Sequence, residues 1–210
     1  MKPIDDEVAI VYRVAAACLA YPDDEFAADL PAFDRALAGL RHPGAALLRE
    51  FLGVSAELGP DARTAAYVDT FDFANRHSLY LTWWTDGDTR NRGAALVRFK
   101  DRYRAEGFDF DDDELPDFLP AVLEFSALAR TGALLLEYRP ALELLRIALR
   151  ERRDPFAAVL SAVCATLPGA GPADRAQARA LARSGPPRET VGLEPYGHLG
   201  LLPLLTGDQR

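Results

Sequence analysis

Histidine, cysteine and methionine are scarce in this 210-residue chain, with three, two and one copies. The two cysteines, Cys18 and Cys164, stand 146 positions apart and form no CxxC or cysteine–histidine spacing, which excludes zinc ribbons, iron–sulfur ligation and redox dithiols. Both are expected to be small core residues. His42, His77 and His198 are scattered, and HExxH and GxSxG are absent, so metalloprotease and hydrolase readings lose their support. No metal ligand set and no catalytic group is expected. Strand formers are also few: valine and isoleucine total 13, against 67 alanines and leucines, so the apolar content comes from helix formers. Basic charge is in deficit, with 24 Lys and Arg against 32 Asp and Glu. The resulting net charge of −8 disfavours a general nucleic-acid binder and would attract a basic partner. Long apolar runs are missing too. No window holds 18 consecutive apolar residues, and the longest charge-free run, Pro155 to Ala173, is interrupted by Pro168, Gly169 and Gly171. Lys2 followed by Asp5, Asp6 and Glu7 has the wrong sign for a secretory leader, so a soluble cytoplasmic protein without a membrane span is expected.

What is present is an all-α pattern: a single globular bundle of about nine helices, punctuated by proline and glycine. Predicted helices run over 5–20, 24–40, 43–58, from Pro60 toward Arg76, from an Asp88 cap to Gly107, from an Asp117 cap onward, and over 135–153, 155–167 and 173–184. Tyr67, Phe71, Ala74 and Ser78 share one predicted helical face, and Leu96, Phe99 and Tyr103 another. The segment 168–172, Pro-Gly-Ala-Gly-Pro, lacks the lysine of a phosphate loop and reads as a plain interhelical connection. Asp69, Asp72 and Arg76 read as a solvated or salt-bridged helix face. Residues 1–184 form the expected helical domain. Residues 185–210, with five glycines and four prolines, form an irregular arm whose leucines are too apolar for a freely solvated tail.

One stretch stands apart. Tyr67, Phe71, Phe73, Tyr80, Trp83 and Trp84 fall within 18 residues, and Arg90, Arg92, Arg98, Lys100, Arg102 and Arg104 follow. Core packing and a wet helix face account for about half of them. The segment LTWWTDGDTRNRG, read as an interhelical loop, joins two tryptophans, two aspartates and two arginines in a way that suits recognition of a peptide. The acidic run FDFDDDELPD follows directly; it favours the next helix N-terminus and also supplies a rim that a basic amphipathic peptide needs.

The runs FDFANRHSLYLTWWTDGDTRNRGAALVRFKDRYRAEGF, DELPDFLPAVLEF and ETVGLEPYG resemble the NarJ type of molybdoenzyme assembly chaperone, the nitrate reductase delta subunit family, over residues 8 to 197. The resemblance implies an all-helical, cytoplasmic, enzyme-specific chaperone with no cofactor of its own. Its partner would be the apo catalytic (alpha) subunit of respiratory nitrate reductase, including that subunit's N-terminal peptide. The chaperone would hold this partner competent for molybdenum cofactor insertion and membrane attachment, alongside molybdenum cofactor biosynthesis proteins, and would leave the finished enzyme. The wider group often has histidine where this chain has Phe118, so no role of that histidine transfers. A basic amphipathic tail laid in an interhelical groove is the expected binding mode, with Tyr80, Trp83 and Trp84 as apolar anchors. Asp86 and Asp88 are the expected loop carboxylates, Arg90 and Arg92 the orienting groups, and Asp117 and Glu124 the acids of the adjoining helix. A helical small-molecule binder with its pocket under the same loop, and a permanent accessory subunit of a redox complex, are the competing readings.

Overall fold

The structure, a computed structural model, describes residues 3–72, 77–87, 90–110, 114–173 and 175–184. These form eleven α-helices and no sheet: α1 (Asp6–Leu19), α2 (Asp24–Ala38), α3 (Pro43–Glu57), α4 (Pro60–Phe71), α5 (Leu81–Asp86), α6 (Arg90–Ala105), α7 (Leu119–Leu128), α8 (Ala133–Glu137), α9 (Arg139–Arg152), α10 (Phe156–Ala165) and α11 (Arg175–Ser184). The expected arm, 185–210, lies outside the described residues, as do Asp88 and Ala74.

Local chemistry sets most of the helix starts. Asp5 and Asp23 each accept a hydrogen bond from the backbone N–H three residues on, at 2.9 and 2.8 Å, and so begin α1 and α2. Pro43 and Pro60 occupy the first turns of α3 and α4, where a missing N–H costs nothing. Gly107, at φ +83°, turns the chain away beyond α6. The expected apolar stripe on α6 is half right: Phe99 and Tyr103 are buried, but Ala95 rather than Leu96 completes it.

The count of helices differs from the expected nine in two places. The helix predicted over 135–153 is two helices, because Pro140 has no N–H to donate to the Leu136 carbonyl and instead sits in the first turn of a new helix; the chain breaks at Tyr138 and restarts as α9. The other addition is α5, six residues inside the segment read as a loop.

Nearly every side of α1 is buried, including Val11, Tyr12, Val14, Ala15 and Leu19, which marks it as the central helix of the bundle. It packs chiefly on α7 and α10, with α2 and α3 beside it; α10 in turn packs on α3 and α9. Tyr12 reaches across to Thr166 with a 2.7 Å hydroxyl–hydroxyl hydrogen bond, and burial raises its pKa. Cys18 is buried and Cys164 partly so, and both are free thiols pushed upward by desolvation, consistent with inert packing roles.

On α9 an ionic stripe is buried within the bundle. Glu143 is almost fully enclosed between Arg139 and Arg146, with Arg146 Nε donating to Glu143 Oε2 at 2.7 Å. The outer ends of both guanidinium groups hold the 168–172 connection: Arg139 donates to the carbonyls of Pro168 and Gly169, and Arg146 to that of Pro172. The turn therefore presents carbonyl acceptors to cations, the opposite of an anion-binding nest. It is the plain connection the sequence suggested, with an ionic anchor beneath it. A Cβ at Gly171 would lie 2.6 Å from Glu143 Oε1, so a side chain there would force the carboxylate to shift.

Candidate functional site

The aromatic-rich segment is organised by one buried carboxylate. Asp117 is fully enclosed, and its Oδ2 accepts from the Thr82 backbone N–H at 3.0 Å and from the Thr82 hydroxyl at 2.6 Å. Backbone hydrogen bonds from Leu81 N to Asp117 O and from Leu119 N to Leu79 O complete an antiparallel bridge between Tyr80 and Phe118. Asp117 thus caps the first turn of α5 from a distant part of the chain. This corrects the expectation that it caps α7 and stands on an acidic rim: the N-cap of α7 is Phe118, which makes no side-chain cap bond, and Asp117 has no exposure at all. Asp117 Oδ1 has no hydrogen-bond partner among the described residues. The Thr82 hydroxyl, donating to Asp117, accepts in turn from Arg92 Nε at 3.2 Å, and the Arg92 guanidinium carbon lies 5.8 Å from the Tyr80 ring centroid.

Above this frame opens a groove of about 620 Å³, walled by Phe71, Tyr80, Trp83, Leu115 and Phe118, with Arg92 beside them. Its carboxylates are Asp72 and Glu114, and both side chains are exposed. Tyr80 donates from its hydroxyl to Glu114 Oε1 at 3.0 Å and packs against the Phe118 ring with centroids 5.4 Å apart. Burial first, and the neighbouring Glu114 carboxylate second, push the Tyr80 hydroxyl up to about 12, so it stays a neutral donor at ordinary pH. Apolar walls with a few fixed polar groups and an acidic edge suit a ligand that is apolar on one side and cationic on the other.

Of the nine residues singled out from sequence, Tyr80, Trp83 and Arg92 come together in this groove. Trp84 does not line it: its indole donates to the Ser78 carbonyl at 2.9 Å and its ring packs on the core. Asp86 is half-buried and accepts from the Thr85 hydroxyl at 2.8 Å, and Glu124 is exposed on α7; neither lines the groove. Asp88 and the side chain of Arg90 lie outside what the structure describes. The predicted α4 face is only partly helical, since α4 ends at Phe71 and Ser78 lies beyond it. Sequence reasoning did not select Tyr21, Asp72 or Leu115 for the site. Tyr21 is the most legible of them, an aromatic between a buried helix and a proline that ends 55% exposed. Among the described residues no cluster of His, Cys, Asp and Glu is arranged to hold a metal ion, and no helix is long and apolar enough to cross a membrane.

Known proteins resemble this chain in sequence and in fold. The sequence model of the family described as nitrate reductase delta subunit matches residues 23–162. The nitrate reductase-like protein NarX of Mycobacterium tuberculosis is 39% identical over 160 residues, covering 75% of this chain and 24% of that protein, so the chain spans about a quarter of that relative's length. The probable nitrate reductase molybdenum cofactor assembly chaperone NarJ of Bacillus subtilis is 37% identical over 128 residues, 59% of this chain and 68% of that one. A crystal structure assigned as a redox enzyme maturation protein from Archaeoglobus fulgidus superposes with a TM-score of 0.56 at 18% identity, over 74% of this chain and 91% of the other, a likeness of fold. A family match running from α2 into α10, together with the aromatic–arginine and acidic–proline runs, settles the kinship: this chain belongs to the nitrate reductase delta subunit family.

Proposed function

We propose that this chain is an assembly chaperone for nitrate reductase, acting by binding rather than by breaking bonds. It grips the N-terminal tail of the unfinished catalytic subunit, a basic amphipathic segment, and holds that subunit competent for molybdenum cofactor insertion and membrane attachment before leaving it. The observation that carries this reading is the groove at Tyr80 and Trp83, half-buried aromatics beside exposed Asp72 and Glu114, in a chain of this family. Half-buried aromatics have apolar area still to lose to a partner, and the carboxylates supply the counter-charge that steers a cationic one.

Calorimetric titration with a synthetic peptide of the catalytic subunit's N-terminus tests it. Wild type binds, and Trp83→Ala weakens binding by about 2 kcal/mol, the size of a hot-spot truncation, while circular dichroism stays unchanged. Equal affinity of Trp83→Ala and Tyr80→Ala with wild type would remove the groove from the function. A pull-down from cells lacking molybdenum cofactor should enrich the immature reductase, and the mature enzyme should not retain the chain.

A further inference from the structure

Where α3 and α4 meet the link from α9 to α10, a second hollow opens, with a volume of about 290 Å³. That is the small end of ligand sites, which begin near about 300 Å³. Four aromatic rings line it, those of Phe26, Phe51, Tyr67 and Phe156. Tyr67 and Phe156 meet edge-on with centroids 6.2 Å apart, and Phe51 tilts against Phe156 at 4.9 Å. Ring faces and edges of this kind suit a flat apolar body.

The charge around this hollow is positive, in contrast to the acidic groove. Its two carboxylates, Asp69 and Asp154, are both engaged by Arg152, and Asp154 also accepts from the Thr70 hydroxyl and the Phe156 N–H. Arg63 is in a different position. It is only 9% exposed, it borders the hollow, and no described carboxylate pairs with it. Its Nε and Nη2 donate to the Ser55 carbonyl at 3.3 and 3.1 Å, Nη2 donates also to the Leu58 carbonyl at 2.9 Å, and its guanidinium carbon lies 5.9 Å from the Phe26 ring centroid. Nη1 donates to no described residue. A nearly buried cation compensated only by neutral groups, with a donor nitrogen left over, is a receptor for an anion. Arg153, exposed on the same lining and without a described carboxylate partner, adds positive charge beside the opening. Three arginines against two aspartates leave one surplus charge, which a single carboxylate neutralises.

We infer that this hollow is a binding site for a small aromatic monocarboxylate, its ring among the four aromatic side chains and its carboxylate accepting from Arg63 Nη1. The site does not depend on the peptide-binding reading of the groove, and it takes a ligand of the opposite charge. A neutral or cationic molecule of the same shape would leave the Arg63 charge uncompensated, and a phosphate dianion would exceed the single surplus charge.

Calorimetric titration of the full chain with 1-naphthylacetate, and with 1-naphthylacetamide as its neutral counterpart, tests the assignment. The carboxylate should bind about tenfold or more tightly than the amide, a difference of about 1.4 kcal/mol. Arg63→Gln should remove that preference, so that both ligands bind alike. Because Arg63 also ties down the end of α3, circular dichroism checks the fold of this variant. Ala66→Trp and Val54→Phe carry the test if it misfolds: both positions are exposed and line the hollow, and filling it should weaken 1-naphthylacetate about tenfold or more. Arg153→Ala should weaken the carboxylate by a smaller factor, about threefold, and leave the amide unchanged. If carboxylate and amide bind wild type equally, Arg63 selects no anion and the inference falls. It falls also if neither ligand binds, or if both filled variants bind 1-naphthylacetate as wild type does, since the ligand is then held elsewhere.

Discussion

Of the carboxylates buried among the described residues, Glu143 and Asp117 are treated in opposite ways. On α9, Glu143 is held between two guanidinium groups whose other ends tie down a connection, so charge is compensated by charge. At the bridge between Tyr80 and Phe118, Asp117 is compensated by one hydroxyl and one backbone N–H from Thr82, with one oxygen left unpaired. The first arrangement is closed on itself and is a support. The second passes, through the Thr82 hydroxyl and Arg92, to the Tyr80 ring, so a fully buried group helps position a wall of the groove. Each site leaves one carboxylate oxygen without a hydrogen bond, Glu143 Oε1 and Asp117 Oδ1, so the difference lies in the compensation: opposite charge on α9, neutral donors beside the groove.

The largest break in this contrast comes from Glu143→Ala, which leaves Arg139 and Arg146 buried without a counter-charge. It should cost about 3–5 kcal/mol of unfolding free energy, read from the denaturant midpoint, while the fraction still folded binds peptide with wild-type affinity. Asp117→Asn should cost less, about 2 kcal/mol, because it loses the charge on two hydrogen bonds and strands no cation. Unlike Glu143→Ala it should also weaken peptide binding, since α5 carries Trp83 and loses its cap. If Asp117→Asn lowers stability but leaves affinity intact, the link from the buried carboxylate to the groove is broken.

Alkaline pH sharpens the comparison further. Tyr80 and Tyr138 are both raised to about 12 from an ordinary value of 10.0, with burial as the first cause. Between these values the unfolded hydroxyls ionise and the folded ones do not, so the unfolded state binds fewer protons and stability falls as pH rises through this window. Denaturant midpoints measured from pH 9 to pH 12 should decline, and Tyr80→Phe should flatten only part of the decline. The smallest effect expected at neutral pH is that of Tyr80→Phe itself, about 0.5–1 kcal/mol, because its hydroxyl bonds to an exposed Glu114 with water as the alternative partner.

Legibility in the sequence differed between these regions for physical reasons. The starts of α1, α2, α3 and α4 were readable because their caps and first-turn prolines lie within three residues of the helices they begin. Helix α5 was not: six residues cannot show a period, and its cap comes from Asp117, 35 positions beyond Thr82. The same distance explains why Asp117, Trp84 and Glu124 were grouped with the groove residues. Proximity along the chain placed them near Trp83, but packing turned Asp117 and Trp84 inward and left Glu124 elsewhere on α7.

By itself the amino-acid sequence determined the all-helical class, the order of the long helices and the family, because alanine and leucine content, caps and contiguous motifs are local properties of a chain. Which aromatic faces a groove and which acid is walled off were decided only by the tertiary structure. Each of these depends on residues far apart in the chain meeting at one place, as Tyr21, Tyr67 and Leu115 do around Tyr80, and local pattern carries no information about that meeting.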